Sequence, residues 1–190
     1  MHDPAALLLR ALNQVDTLIA VTTTESQQDP TPCGEYDVTA LIDHLAIIAW
    51  PIATAAEPGE HPDIGAGTAW SDARARAGAA IDSSDPDAIA DLPFGRMPLK
   101  AAFTAYVGEL TTHSWDLAAA LNRRDLLDES LGEAAATIVR TRIPVAPRHQ
   151  MPFAEVVHVP DDAPAYDRLA GWMGGTREHG ERVQTCPKTS

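Results

Sequence analysis

The stretch PLKAAFTAYVGELTTHSWDLAAAL, residues 98–121, decides the reading of the fold. Its Phe103, Tyr106, Leu110, His113, Leu117 and Leu121 recur at spacings of three and four, the period of an amphipathic helix. Pro98 falls where proline suits a first helical turn, so a helix is predicted from about Met97-Pro98 to Leu121. A second stripe, Ala102, Tyr106, Glu109, His113 and Ala120, runs beside the apolar one. It puts Glu109 and His113 one turn apart on a face that points at least partly inward.

Upstream of this stretch, Leu7, Leu8, Ala11, Leu12, Val15, Leu18 and Ile19 predict a helix from Pro4 to about Glu25. The Pro30-Thr31-Pro32-Cys33-Gly34 segment stops it, and Asp37 is positioned to cap a second helix bearing Leu41, His44, Leu45, Ile48 and Ile52. Pro51 predicts a kink near Ile47 or an early end to that helix. Residues 57–91 read as a long connection carrying a modest helix over 68–81.

Downstream, residues 122–125 form a turn, and Leu127, Leu131, Ala135 and Ile138 predict a helix from Leu126 to about Thr141, stopped by Pro144 and Pro147. Residues 145–160 are irregular, with a short extended piece over 153–157. A last helix is expected from Asp162 to Met173, ended by Gly174-Gly175, and a loose tail beyond Arg177. Four principal helices with one long crossover predict an all-α bundle in a single domain, residues 1–176.

The 190 residues carry a net charge of −13 and no basic stripe, which argues against nucleic acid as a partner. No apolar run approaches the roughly 20 residues of a membrane span. The acidic opening Met1-His2-Asp3-Pro4 lacks the basic segment of a secretory leader, so the expected location is cytoplasmic. Cys33 and Cys186 are therefore expected to remain free thiols.

The chemistry concentrates on three side chains. A buried carboxylate needs a partner, and a cation satisfies a carboxylate and an imidazole together. His44, between Leu41 and Ile48 on the inward face of its helix, offers a second imidazole. His44, Glu109 and His113 form a candidate set of three ligands that leaves a coordination position open, the pattern of catalytic zinc sites. Zinc suits two imidazoles and a carboxylate, and nickel, iron and manganese are chemically admissible. The alternative reading is a helical protein in which Glu109 and His113 merely pair with arginines.

Two strings carry a family resemblance. Thr31-Pro32-Cys33-Gly34-Glu35-Tyr36-Asp37-Val38 followed by Leu41-Ile42-Asp43-His44-Leu45, and Glu109-Leu110-Thr111-Thr112-His113-Ser114-Trp115-Asp116-Leu117-Ala118, resemble the two signatures of the actinobacterial DinB-like, mycothiol-dependent maleylpyruvate isomerase superfamily. The resemblance implies a four-helix bundle of up-down-down-up topology with a metal at His44, Glu109 and His113. It also implies a low-molecular-weight thiol such as mycothiol as cofactor, and a thiol transferase or isomerase acting on a small electrophilic molecule. The isomerase itself has a larger C-terminal domain, whereas this chain has only a short helix and tail after Pro144. Gly174-Gly175 stands where shorter relatives often show Gly-Arg. A second functional reading is a metal-containing binding module without turnover, pairing as a homodimer through its helical faces.

Among the other candidates, Asp116 could orient His113 from one turn away, but a solvated surface aspartate is the simpler reading. Cys33 reads as a small packed residue and Tyr106 as a core aromatic that could line the site. His61, His149, His158 and His179 read as exposed loop or tail residues, and the four tryptophans as packing groups.

Overall fold

The computed structural model describes residues 3–34, 36–55, 69–92, 95–145, 148 and 154–175. The expected tail beyond Arg177, together with His61, His149, His179 and Cys186, lies outside them. The described residues are predominantly helical: α1 (Pro4–Ile19), α2 (Val38–Thr54), α3 (Trp70–Ser83), α4 (Leu99–Ala120), α5 (Glu129–Arg142) and α6 (Ala165–Met173). No helix among them is long and apolar enough to cross a membrane.

Helix α1 opens on an Asp3 carboxylate that accepts from the Ala5 amide at 3.0 Å, with Pro4 in the first turn. It ends at Ile19, short of the expected Glu25. Beyond it, the Ser26 hydroxyl accepts from the Thr23 amide and donates to the Thr23 carbonyl, a local pairing that competes with helical bonds. Asp37 caps α2 as its position predicts, accepting from the Ala40 amide at 2.8 Å. Pro51 does not end α2, which continues to Thr54. The carbonyl that loses its donor belongs to Ile47, on the exposed face of the helix, where water can replace the lost bond.

The all-α expectation needs one correction. β1 (Ile89–Leu92) and β2 (Gly95–Pro98) form an antiparallel hairpin leading into α4, in register from Ile89 opposite Pro98 to Leu92 opposite Gly95. Met97 and Pro98 thus belong to a strand, and α4 starts at Leu99. Its first amides are tied back to the segment before β1, Leu99 to the Ala88 carbonyl and Lys100 to that of Pro86, both at 2.9 Å. Both later helices also start after the predicted points. Arg124–Leu126 is a 3-10 turn, and Asp128 caps α5 from outside. α6 starts after Pro164 and closes on Gly174 in the left-handed conformation, φ 93°. Residues 154–157 form no strand, although the Val157 amide donates to the Gly171 carbonyl at 2.9 Å.

Helix α4 is the centre of the molecule, packed against α1, α2, α5 and α6. Leu8, Leu12 and Leu18 of α1, Leu41 and Leu45 of α2, and Leu110 and Leu117 of α4 lie in one core. Full burial of each contributes about 1.5–3 kcal/mol. Because α4 is covered on nearly every side, Thr111, Ser114 and Asp116 are buried along with its apolar residues. The tryptophans pack as expected, with Trp70 and Trp115 in the core and Trp50 and Trp172 against it.

Candidate metal centre

Two local structures supply the donors. The first is the turn before α2. The Thr31 amide and hydroxyl both donate to the Tyr36 carbonyl, at 3.2 and 2.8 Å, and the Tyr36 amide donates to the Cys33 carbonyl at 2.8 Å. This closed loop seats Cys33 with no exposed surface and places Tyr36 against His44, ring centroids 5.1 Å apart. The second is the middle of α4, whose helical period brings Glu109, His113 and Asp116 onto neighbouring turns.

His113 is the hub, 2% exposed. Its Nδ1 lies 3.0 Å from Asp116 Oδ2. An ionised carboxylate can only accept, so Nδ1 carries a hydrogen, and whenever the ring is neutral Nε2 carries the lone pair. That Nε2 lies 3.8 Å from Glu109 Oε2. The gap is too long for a hydrogen bond, yet it suits two donors on one ion at metal–ligand distances of about 2.0–2.2 Å. The His44 ring meets His113 edge-on, with centroids 5.0 Å apart.

The electrostatics separate the two imidazoles. Burial works against a charged His113, but the hydrogen bond to Asp116 and the charges of Asp116 and Glu109 outweigh it and raise its pKa. Burial, followed by repulsion from His113, pushes His44 down to about 4. His44 is therefore neutral at physiological pH, the form that ligates a metal. Both of its ring nitrogens are buried without a hydrogen-bond partner among the described residues. An unmet buried polar group costs about 1–3 kcal/mol, which a bound cation at that nitrogen would offset. Tyr106 sits in the core one turn before Glu109, its hydroxyl pKa raised by burial and then by the Glu109 charge.

Two sequence expectations are corrected here. Asp116 is not a solvated surface residue. It is 2% exposed and bonded to His113. The clue was the composition of α4: a 22-residue helix with only Lys100, Glu109 and Asp116 charged has no polar face wide enough to be its solvent side. Cys33 is packed as expected but is not a free thiol, because it is disulfide-bonded. No local pattern in the sequence announces this bond.

Among the described residues, one metal-ligating trio has donor atoms all within 4.8 Å of one another: Cys33, His113 and Asp116, all buried. It could hold a metal ion, with Cys33 contributing as a thiolate only once its disulfide is reduced. His44 and Glu109 also adjoin this histidine, Glu109 with a side chain 35% exposed, but neither belongs to that trio, so the sequence-expected set of His44, Glu109 and His113 is not brought together within the same distance among the described residues. His158 is exposed, as its loop position suggested.

Fold and site together define a predominantly helical protein with a buried cluster of histidine, carboxylate and cysteine side chains able to hold a metal. The chain is 30% identical over 185 residues to the uncharacterized protein Rv0738 of Mycobacterium tuberculosis (strain ATCC 25618 / H37Rv), a match spanning 92% of this chain and 98% of the relative. It matches the uncharacterized protein MT0763 of strain CDC 1551 / Oshkosh to the same extent. The chain belongs to the family these two mycobacterial proteins represent. No family model and no solved structure matches it.

Proposed function

We propose that this protein is a DinB-like four-helix bundle that holds one divalent ion, zinc by preference, through His44, Glu109 and His113. In this reading Asp116 fixes the His113 tautomer and aims Nε2 at the ion, as outer-shell carboxylates do in zinc sites. The observation that carries it is His44: a buried, neutral imidazole with neither nitrogen hydrogen-bonded among the described residues, facing a second imidazole whose Nδ1 is already committed. A structural histidine would have a partner; a ligand awaits one.

Three protein ligands leave room for a fourth group. When bound, the ion would stabilise the thiolate of a small thiol, mycothiol-like in class, for addition to or isomerisation of a small electrophile. The chain's own part is to keep His44 uncharged, to hold His113 in one tautomer, and to leave the half-exposed Glu109 as the wall through which substrate enters.

The test is metal content after reconstitution with zinc, nickel, iron or manganese. One ion per wild-type chain, lost in His44→Ala and in Glu109→Gln, supports the reading. Wild-type protein that retains no stoichiometric ion refutes it. Turnover of electrophiles with added thiol, measured against the metal-free protein, then separates an enzyme from a metal-holding module.

A further inference from the structure

A cavity of about 270 Å³ lies between the C-terminal end of α5, α6 and the segment 156–161, and shares no residue with the metal centre. Its apolar wall is Val156, Val157, Val159 and Trp172; its polar groups are Arg140, His158, Asp161 and Arg168. The cavity is built rather than incidental, because the segment is pinned onto α6. A Cβ at Gly171 would lie 2.5 Å from Val159 Cγ2 and 2.8 Å from the Val157 carbonyl oxygen, so only glycine allows this approach.

Two arginines line the cavity and a third rests on its Trp172 ring, and they differ in how they are paired. Arg168 is neutralised by an ion pair with Glu133 and donates to the Asp161 carbonyl at 3.1 Å, which leaves its Nε buried without a partner among the described residues. Arg140 makes no ion pair among the described residues. Its guanidinium rests on the Trp172 ring, 5.5 Å from the centroid. Arg148 lies over the same ring at 5.6 Å and is 2% exposed. It donates to the carbonyls of Pro144, Ala154 and Trp172, and its Nη2 is buried without a partner among the described residues. Trp172 thus carries two guanidinium contacts, and no carboxylate lies within ion-pair distance of either guanidinium among the described residues. Of the guanidiniums that line the cavity, Arg140 is therefore the one without an ion-pair partner among the described residues, and it lies beside an apolar wall; Arg148 feels the Glu155 charge from beyond ion-pair distance.

We propose that this cavity is a second ligand site, which binds a small organic anion: a carboxylate carried on an apolar body. The anion pairs with the Arg140 guanidinium, and the apolar body lies against Trp172 and the three valines. The Asp161 carboxylate sets the limit on ligand charge, since a second negative group next to it would be repelled. The volume falls just below the roughly 300–1,000 Å³ of drug-sized sites, so the ligand is of metabolite size.

Isothermal titration with benzoate as the probe tests the proposal, with benzyl alcohol as the uncharged control and inorganic phosphate as the anion without an apolar body. Benzoate binds with Kd of about 1 mM or tighter and outcompetes both controls. Arg140→Gln weakens benzoate about tenfold, the loss expected for one charge-assisted hydrogen bond, while Arg140→Lys retains much of the affinity. Arg140 is exposed, so neither variant should disturb folding, and equal melting temperatures verify this. Benzoate no tighter than benzyl alcohol, or unaffected by Arg140→Gln, overturns the proposal, as does phosphate binding as well as benzoate.

Discussion

Replacing Asp116 by asparagine isolates what a buried carboxylate contributes to the proposed centre. The side chain is 2% exposed and accepts from His113 Nδ1 at 3.0 Å. Asparagine preserves the shape, but the negative charge behind the imidazole is gone, and its amide can donate as well as accept, so the His113 tautomer is no longer enforced. Changes to such outer-shell partners typically cost roughly 10–100-fold in metal affinity. At about 1.4 kcal/mol per factor of ten, the expected loss is about 1.4–2.8 kcal/mol. The upper half of that range is favoured because burial removes the solvent screening that would weaken the Asp116–His113 interaction. Zinc competition against a chromophoric chelator, run side by side on wild type and Asp116→Asn, measures it directly. Affinity unchanged within about twofold would refute an orienting role, and a loss beyond about a thousandfold would mean that Asp116 is itself a ligand.

Other outcomes follow from the fold. Asp128→Ala removes the cap of α5, whose carboxylate accepts from the Ser130 and Leu131 amides, and should cost about 1 kcal/mol in urea unfolding at neutral pH. Burial opposes the shift of Asp128, but hydrogen bonds from Arg10, Ser130 and Leu131 and the Arg10 charge outweigh it and lower its pKa. Its ionised form therefore stabilises the folded state above the ordinary value of 3.8, and the gap between wild type and variant should close as pH falls through the lowered folded pKa. Gly171→Ala should destabilise by about 1–3 kcal/mol, since the Val157 carbonyl oxygen at 2.8 Å is backbone that cannot rotate away; an unchanged melting temperature would mean that the segment is not docked on α6. Leu12→Ala in the fully buried face of α1 should cost about 2–5 kcal/mol by thermal or urea unfolding.

The sequence was most informative where periodicity and caps agreed. α2 begins where Asp37 predicts, and α4 runs nearly to the predicted end because its apolar spacing is unbroken. Helix starts were less legible. Pro98 suits a helical first turn, but it also suits the end of an edge strand, and the hairpin took it. With only four residues per strand, β1 and β2 offer too little alternation to stand out from a loop. The site was half visible. Spacing alone put Glu109 and His113 on one face, whereas the burial of Asp116 was legible only indirectly, from the scarcity of charge along a helix that other helices surround. The Cys33 disulfide and the approach of the Cys33 turn to His113 are likewise set by long-range packing.

The central claim is that two imidazoles and one carboxylate share an ion, and X-ray absorption at the zinc edge of zinc-loaded, thiol-free protein tests it most directly. The account predicts a shell of nitrogen and oxygen at about 2.0–2.1 Å with outer scattering from two imidazoles and no sulfur. A sulfur neighbour at about 2.3 Å, or the signature of a single imidazole, would contradict it and move the metal to Cys33, His113 and Asp116.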